Sequence, residues 1–156
     1  MTNKKIFLAG HNGMVGSAIY RKLKRNGYKN ILVRSRRELN LLNQSKTFRF
    51  LKKYKPYFVI LAAAKVGGIT ANAKNKDKFI YENLQIQNNI IHGSYLAGVK
   101  NLFLLGSSCI YPKHCKQPMK EKYLLSGPLE ETNDAYSIAK IAGLKMCEYY
   151  SKIYNL

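Results

Sequence analysis

Tyr136 and Lys140 stand four residues apart in Tyr136-Ser-Ile-Ala-Lys140, with Ser107-Ser108-Cys109 about thirty residues upstream. On a helix, positions i and i+4 share a face, so a phenol and an ammonium at this spacing can meet over one substrate. A free tyrosine titrates near ~10, too high for easy proton exchange at neutrality. A cation held beside it favours the phenolate and makes the residue a usable general acid or base. The spacing recurs by chance in many helices, so its weight comes from its company. The chain also opens with a short apolar run that leads straight into a glycine-rich turn.

That turn, Gly10-His11-Asn12-Gly13-Met14-Val15-Gly16, falls between an expected strand and an expected helix. Glycine is needed where the chain turns tightly and where backbone must approach a pyrophosphate with no Cβ in the way. The helix N-terminus then offers free N–H groups and a positive dipole to the phosphates. An NAD site usually carries Asp or Glu about 20 residues past the glycines, on the ribose hydroxyl. Arg34-Ser35-Arg36-Arg37 stands there instead. Guanidinium forks fit a 2′-phosphate, so NADP is the expected cofactor, with Arg34 and Arg36 as its ligands. The competing account makes these arginines part of a basic surface.

The elements that would position these groups alternate. Strands are expected at Ile6 to Ala9, Ile31 to Val33, Phe58 to Ala63 and Leu102 to Leu105. Helices are expected from Met14 to about Asn26, stopped by Gly27; from Ser45 to Tyr54, with Phe48 and Leu51 inward and Pro56 beyond; and from about Phe79 to Ala97, closed by Gly98. In the first of these, Val15, Ala18, Ile19 and Leu23 recur at helical spacing. An irregular segment from Pro112 to Glu131 leads to the helix of Tyr136 and Lys140, with Thr132, Asn133 or Asp134 as its cap. Such alternation calls for an α/β fold, a doubly wound parallel sheet of Rossmann type. Four strands leave the second half of a six- or seven-stranded sheet of this kind unfinished. Ligands of open α/β sheets bind beyond the carboxyl ends of the strands, so Ser107 and its neighbours face the cleft. Cys109 reads two ways: a base, if nearby positive charge stabilises its thiolate, or a small buried apolar residue.

At 156 residues and 46% hydrophobic, the chain is one domain with a real core. No apolar run reaches membrane-spanning length, and the N-terminus lacks a signal-peptide core. Cys109, Cys115 and Cys147 form no C-x-x-C pair, so neither disulfides nor a metal is expected, and a reducing cytoplasm is the default setting. The net charge of +19 is spread along the chain. It would concentrate anions, including a polyphosphate nucleotide. A solvated basic surface is the plain reading, and no nucleic-acid motif accompanies the charge.

Together, GHNGMVGSAI, Ala62-Ala63-Ala64-Lys65-Val66-Gly67-Gly68-Ile69, GSSCIYPK and YSIAK resemble the GDP-L-fucose synthase family. These are GDP-4-keto-6-deoxy-D-mannose 3,5-epimerase/4-reductases of the extended short-chain dehydrogenase/reductase superfamily. The resemblance runs from about Ile6 to the end of the chain. It implies that residues 1–156 are the N-terminal portion of an NADP-binding Rossmann domain, that a C-terminal substrate lobe is absent, and that the full-length protein is a homodimer acting on a GDP-sugar. Cofactor contacts would come from Gly10 through Gly16, Arg34, Arg36, Asn40, Leu41, Leu105, Gly106, Ser107, Ser108 and Lys140.

The resemblance also assigns roles. Ser107 would orient the sugar, Cys109 would take protons from C3 and C5, Tyr136 would protonate O4 as hydride reaches C4, and Lys140 would tune Tyr136 and hold the nicotinamide ribose. The family's acid histidine has no counterpart in His11, His92 or His114, and Asn12 stands where relatives often carry a basic residue. Without the lobe the chain is expected to be inactive, with Ile141, Leu144 and Tyr149 partly uncovered. A GDP-mannose 3,5-epimerase, which usually keeps NAD, and a catalytically silent cofactor-binding fragment are the rival readings.

Overall fold

Four short strands in the computed structural model, which describes residues 2–156, make one parallel sheet in the order β2-β1-β3-β4. The strands are β1 (Ile6–Ala9), β2 (Ile31–Leu32), β3 (Phe58–Leu61) and β4 (Leu102–Leu104). β1 lies at the centre, Ile6 beside both Ile31 and Phe58, and every residue in it is buried. A strand covered on both faces reads as an unbroken apolar run, which is what Ile-Phe-Leu-Ala is.

Five helices follow from the strand order: α1 (Met14–Arg25), α2 (Gln44–Tyr54), α3 (Ile69–Lys74), α4 (Lys76–Leu96) and α5 (Asp134–Tyr154). The step from β1 to β2 runs one way along the sheet, while the steps from β2 to β3 and β3 to β4 run the other way. Right-handed crossovers therefore put α1 on one face, and α2 and α4 on the opposite face. α4 packs between α2 and α5. The core lies beneath them, built on Phe7, Leu51, Val59, Leu61 and Ile90.

Boundaries depart from expectation for local reasons. β2 stops at Leu32, and the Val33 carbonyl is taken by the guanidinium of Arg34 at 2.7 Å. β3 stops at Leu61, because its neighbour β1 ends at Ala9 and the chain turns off through Gly10 at φ +93°. α3 was not anticipated; its first turn is held by Asn72, whose amide donates to the carbonyls of Gly67 and Gly68 at 2.8 and 3.1 Å. α4 starts at Lys76, three residues ahead of the expected Phe79. A 3-10 turn, Glu121–Tyr123, interrupts the stretch expected to be irregular, and another, Ser108–Ile110, follows β4 ahead of it.

The apolar face expected on α1 is only partly used. Gly16 is its one buried residue, Ile19 and Leu23 are half-buried, and Val15 and Ala18 are exposed. On α5 the expected uncovering is corrected at Ile141, which is 8% exposed because it faces inward. Ile138, Tyr149, Ile153 and Tyr154 are the exposed large apolar residues of α5. Leu144 is half-buried.

Candidate functional site

The glycine turn is built by contact, not by flexibility alone. A Cβ on Gly10 would lie 2.5 Å from the Ala63 nitrogen, and one on Gly16 would collide with the Gly10 carbonyl. Only glycines let β1, the loop after β3 and the start of α1 close this tightly. Gly13 caps α1 with no side chain, and the helix has no acidic residue in its first turn. Its first N–H groups and dipole are thus left facing outward, toward any anion that enters.

In front of this turn lies a cavity of about 570 Å³ that runs along the carboxyl ends of β1, β2 and β3 to Tyr136 and Lys140. Gly10, His11, Asn12, Gly13, Met14, Val15, Gly16, Arg34, Arg36, Asn40, Leu41, Leu105, Gly106 and Lys140 all line it. Ser107 and Ser108 do not, because the chain turns there into the 3-10 turn that carries Cys109. The buried Nδ1 of His11 has no hydrogen-bond partner in the protein. An orphaned buried polar atom in the wall of a cleft fits a site made to receive a polar ligand.

The sequence reading missed Glu82 and Ile86, four apart on α4, and assigned no cofactor role to Ala62 to Val66; all of them line the cavity. The helical spacing of Glu82 and Ile86, and a run of alanines following a strand, were the available signals.

The two candidate phosphate ligands differ. Arg34 lies 5.5 Å over the Phe50 ring and 5.6 Å over the Tyr54 ring, and it donates to the Val33 carbonyl and the Tyr54 hydroxyl. Its fork is occupied by the protein. Arg36 is 73% exposed with one loose ion pair to Glu82 at 3.7 Å, so of the two arginines lining the cavity its guanidinium is the less engaged by the protein. Glu82 is held more closely by Lys65, at 2.9 Å.

At the far end of the cavity Lys140 is buried and donates to the Leu105 carbonyl at 2.9 Å, which ties α5 to the end of β4. Burial lowers its pKa. The Tyr136 ring lies 5.9 Å from the ammonium. Burial raises the Tyr136 pKa; Ser107, placed to hydrogen-bond the phenolate, pulls it down, and the Cys109 charge pushes it up. The expected lowering by Lys140 is therefore corrected, since the ammonium is turned toward Leu105. The phenol is held in its protonated form at neutrality, the state a proton donor needs. The Ser107 hydroxyl accepts the Cys109 N–H at 3.3 Å, which leaves its own O–H free to donate.

The remaining histidines lie elsewhere. His92 shares a 2.8 Å hydrogen bond with Tyr150 between α4 and α5, and His114 lines a shallow recess with Pro112, Cys115 and Tyr123. Among the described residues no three His, Cys, Asp or Glu side chains come together as a metal site, and no helix is long and apolar enough to cross a membrane.

The chain is 58% identical over 146 residues to a putative GDP-L-fucose synthase 2 of Arabidopsis thaliana, covering 94% of this chain and 44% of that protein. It is 52% identical over 155 residues to a GDP-L-fucose synthase of Sinorhizobium fredii, covering 99% of this chain and 49% of that one. The fold superposes with a TM-score of 0.95 on MlghC, a GDP-mannoheptose C4 reductase from Campylobacter jejuni with NADP bound, at 45% identity, covering 99% of this chain and 49% of that one. The chain thus spans about half the length of the curated relatives it matches. Residues 6–156 match the NAD dependent epimerase/dehydratase family, and the chain belongs to it.

Proposed function

We propose that this chain is the cofactor-binding half of an NADP-dependent enzyme that converts GDP-4-keto-6-deoxy-D-mannose to GDP-L-fucose by 3,5-epimerisation and 4-reduction. The observation that carries the reading is one continuous groove with a glycine turn at one end and Tyr136 and Lys140 at the other, where Ser107 and Cys109 stand beside Tyr136 just outside the groove wall. The glycine turn and α1 N-terminus would hold the pyrophosphate, Arg36 the 2′-phosphate and Lys140 the nicotinamide ribose. NADPH, when bound, supplies the hydride.

The chain's own residues handle the protons. Ser107 donates a hydrogen bond to the C4 carbonyl. Cys109 as thiolate takes the proton from C3 or C5: an S–H bond forms, the C–H bond breaks, and its electron pair moves onto the C4 oxygen. Both carbons are acidified by that one ketone. Tyr136, protonated at neutrality, gives its proton to O4 during reduction. The substrate lobe, the epimerisation acid and a homodimer interface belong to the other half of such an enzyme or to its second copy. The chain alone is then expected to bind NADP(H) without forming GDP-L-fucose. A reducing cytoplasm suits its three free thiols.

A chimera whose C-terminal half comes from the Sinorhizobium fredii relative tests this in heavy water. Cys109→Ser should stop deuterium entry at C3 and C5 yet reduce an already epimerised 4-keto sugar; Tyr136→Phe should do the reverse. Exchange of both protons at the normal rate in Cys109→Ser would show the thiol to be structural. Reduction at C4 alone, without exchange in the unsubstituted chimera, would favour a C4 reductase, a reading supported by the likeness to MlghC.

A further inference from the structure

Asn133 occupies the N-cap position of α5, where an asparagine side chain ordinarily accepts a backbone N–H of the first turn. Here it makes no such bond. Its Nδ2 instead lies 3.5 Å from the Cys109 sulfur, across to the 3-10 turn after β4. The hydroxyl of Ser137, which is fully buried, lies 3.1 Å from the Asn133 main-chain carbonyl and 3.2 Å from its Oδ1, so its one proton is shared between the two acceptors. With Oδ1 turned toward that hydroxyl, the NH₂ end is the one that faces the sulfur.

We propose that Asn133 is a positioning residue for Cys109: its amide donates a hydrogen bond that stabilises and aims the thiolate, with Ser137 fixing the amide. A donor to the charged form of an acid favours that form. The inference rests on the reading of Cys109 as a base, and it accounts for a cap residue that does not cap. Asn133 Nδ2 is the side-chain donor recorded at the sulfur among the described residues. Tyr136 faces Cys109 from α5 and is protonated at neutrality; Lys140 is turned to Leu105. The neighbouring carboxylates are occupied, Asp134 by Lys76 at 2.9 Å and Glu130 by Lys113 at 3.0 Å.

The test uses the 156-residue chain itself. Iodoacetamide alkylation is followed across pH by peptide mass spectrometry, with Cys115 as the internal control; Cys147, half-buried and pushed up to about 11 by desolvation, reacts only at high pH. Asn133→Ala should raise the alkylation midpoint of Cys109 by roughly one pH unit, the size expected when a charged group loses one donor. Asn133→Asp, which keeps an acceptor for Ser137 but places an anion against the sulfur, should raise it further. Ser137→Ala should give a smaller shift in the same direction. The Cys115 midpoint should stay fixed throughout. An unchanged Cys109 midpoint in both Asn133 variants overturns the proposal. Because alkylation needs no sugar, a clear shift here alongside normal C3 and C5 exchange in the Cys109→Ser chimera would leave Asn133's role standing while removing the base assignment.

Discussion

Arg34 and Arg36 are two residues apart, identical in type, and committed to different work. Arg34 spends its fork on Val33 and Tyr54 and lies over two rings, whereas Arg36 is mostly in solvent beside the cavity. Sequence could place an arginine cluster after β2 but could not divide the labour, because the rings that capture Arg34 come from α2. The same limit applies to Asn133: its type and place at a helix start were legible, its turn toward Cys109 was not. Arg36→Ala should weaken NADPH binding by about 1.5 kcal/mol, roughly tenfold, the low end for a charged hydrogen bond because the site is wet. NADH binding should hardly move. Arg34→Ala should instead lower the melting temperature. Titration with both reduced cofactors separates the cases, and an Arg36→Ala variant that keeps its preference for NADPH would leave the 2′-phosphate without its assigned ligand.

Strands and long helices were legible at the scale of elements because each carries a burial pattern of its own. α3 was not: six residues, Ile69–Lys74, follow two glycines and present an exposed Ile69 rather than an apolar face. The α4–α5 contact was equally hidden, since it depends on a buried polar group meeting a glycine from a helix more than fifty positions away. Gln87, 2% exposed, donates to the Ala139 carbonyl at 2.8 Å, and a Cβ on Gly143 would stand 2.6 Å from its amide carbon and oxygen. Gly143→Ala would gain up to about 1 kcal/mol in helix propensity. It would also force Gln87 off its carbonyl in a filled interior, at a cost of about 1–3 kcal/mol for overpacking and more for the broken bond. Net destabilisation is the expected outcome. Urea unfolding of Gly143→Ala, and of Gly143→Ala with Gln87→Ala, measures it; the double variant should recover part of the loss, and a Gly143→Ala protein as stable as the parent would mean the helices separate at little cost.

For the whole molecule, two opposing terms decide whether the chain stays single. Ile138, Ala142, Tyr149 and Ile153 lie along one exposed side of α5, and Tyr81 and Leu96 are exposed on its neighbour α4. Exposed apolar residues on neighbouring helices favour a partner, and a second copy supplies the same residues by two-fold symmetry. Against this, two copies each carrying +19 repel each other. That repulsion is long-ranged only at low ionic strength, where the Debye length reaches about 30 Å; near 0.15 M it shrinks to about 8 Å while apolar contact is undiminished. Self-association should therefore strengthen as salt is raised, opposite to an interface held by ion pairs. Sedimentation velocity at about 0.01 M and 0.15 M salt gives the comparison, and Tyr149→Glu with Ile153→Glu should return the protein to monomer at both. An oligomer that dissociates on adding salt, or one indifferent to the two glutamates, would place the contact elsewhere than the exposed side of α5.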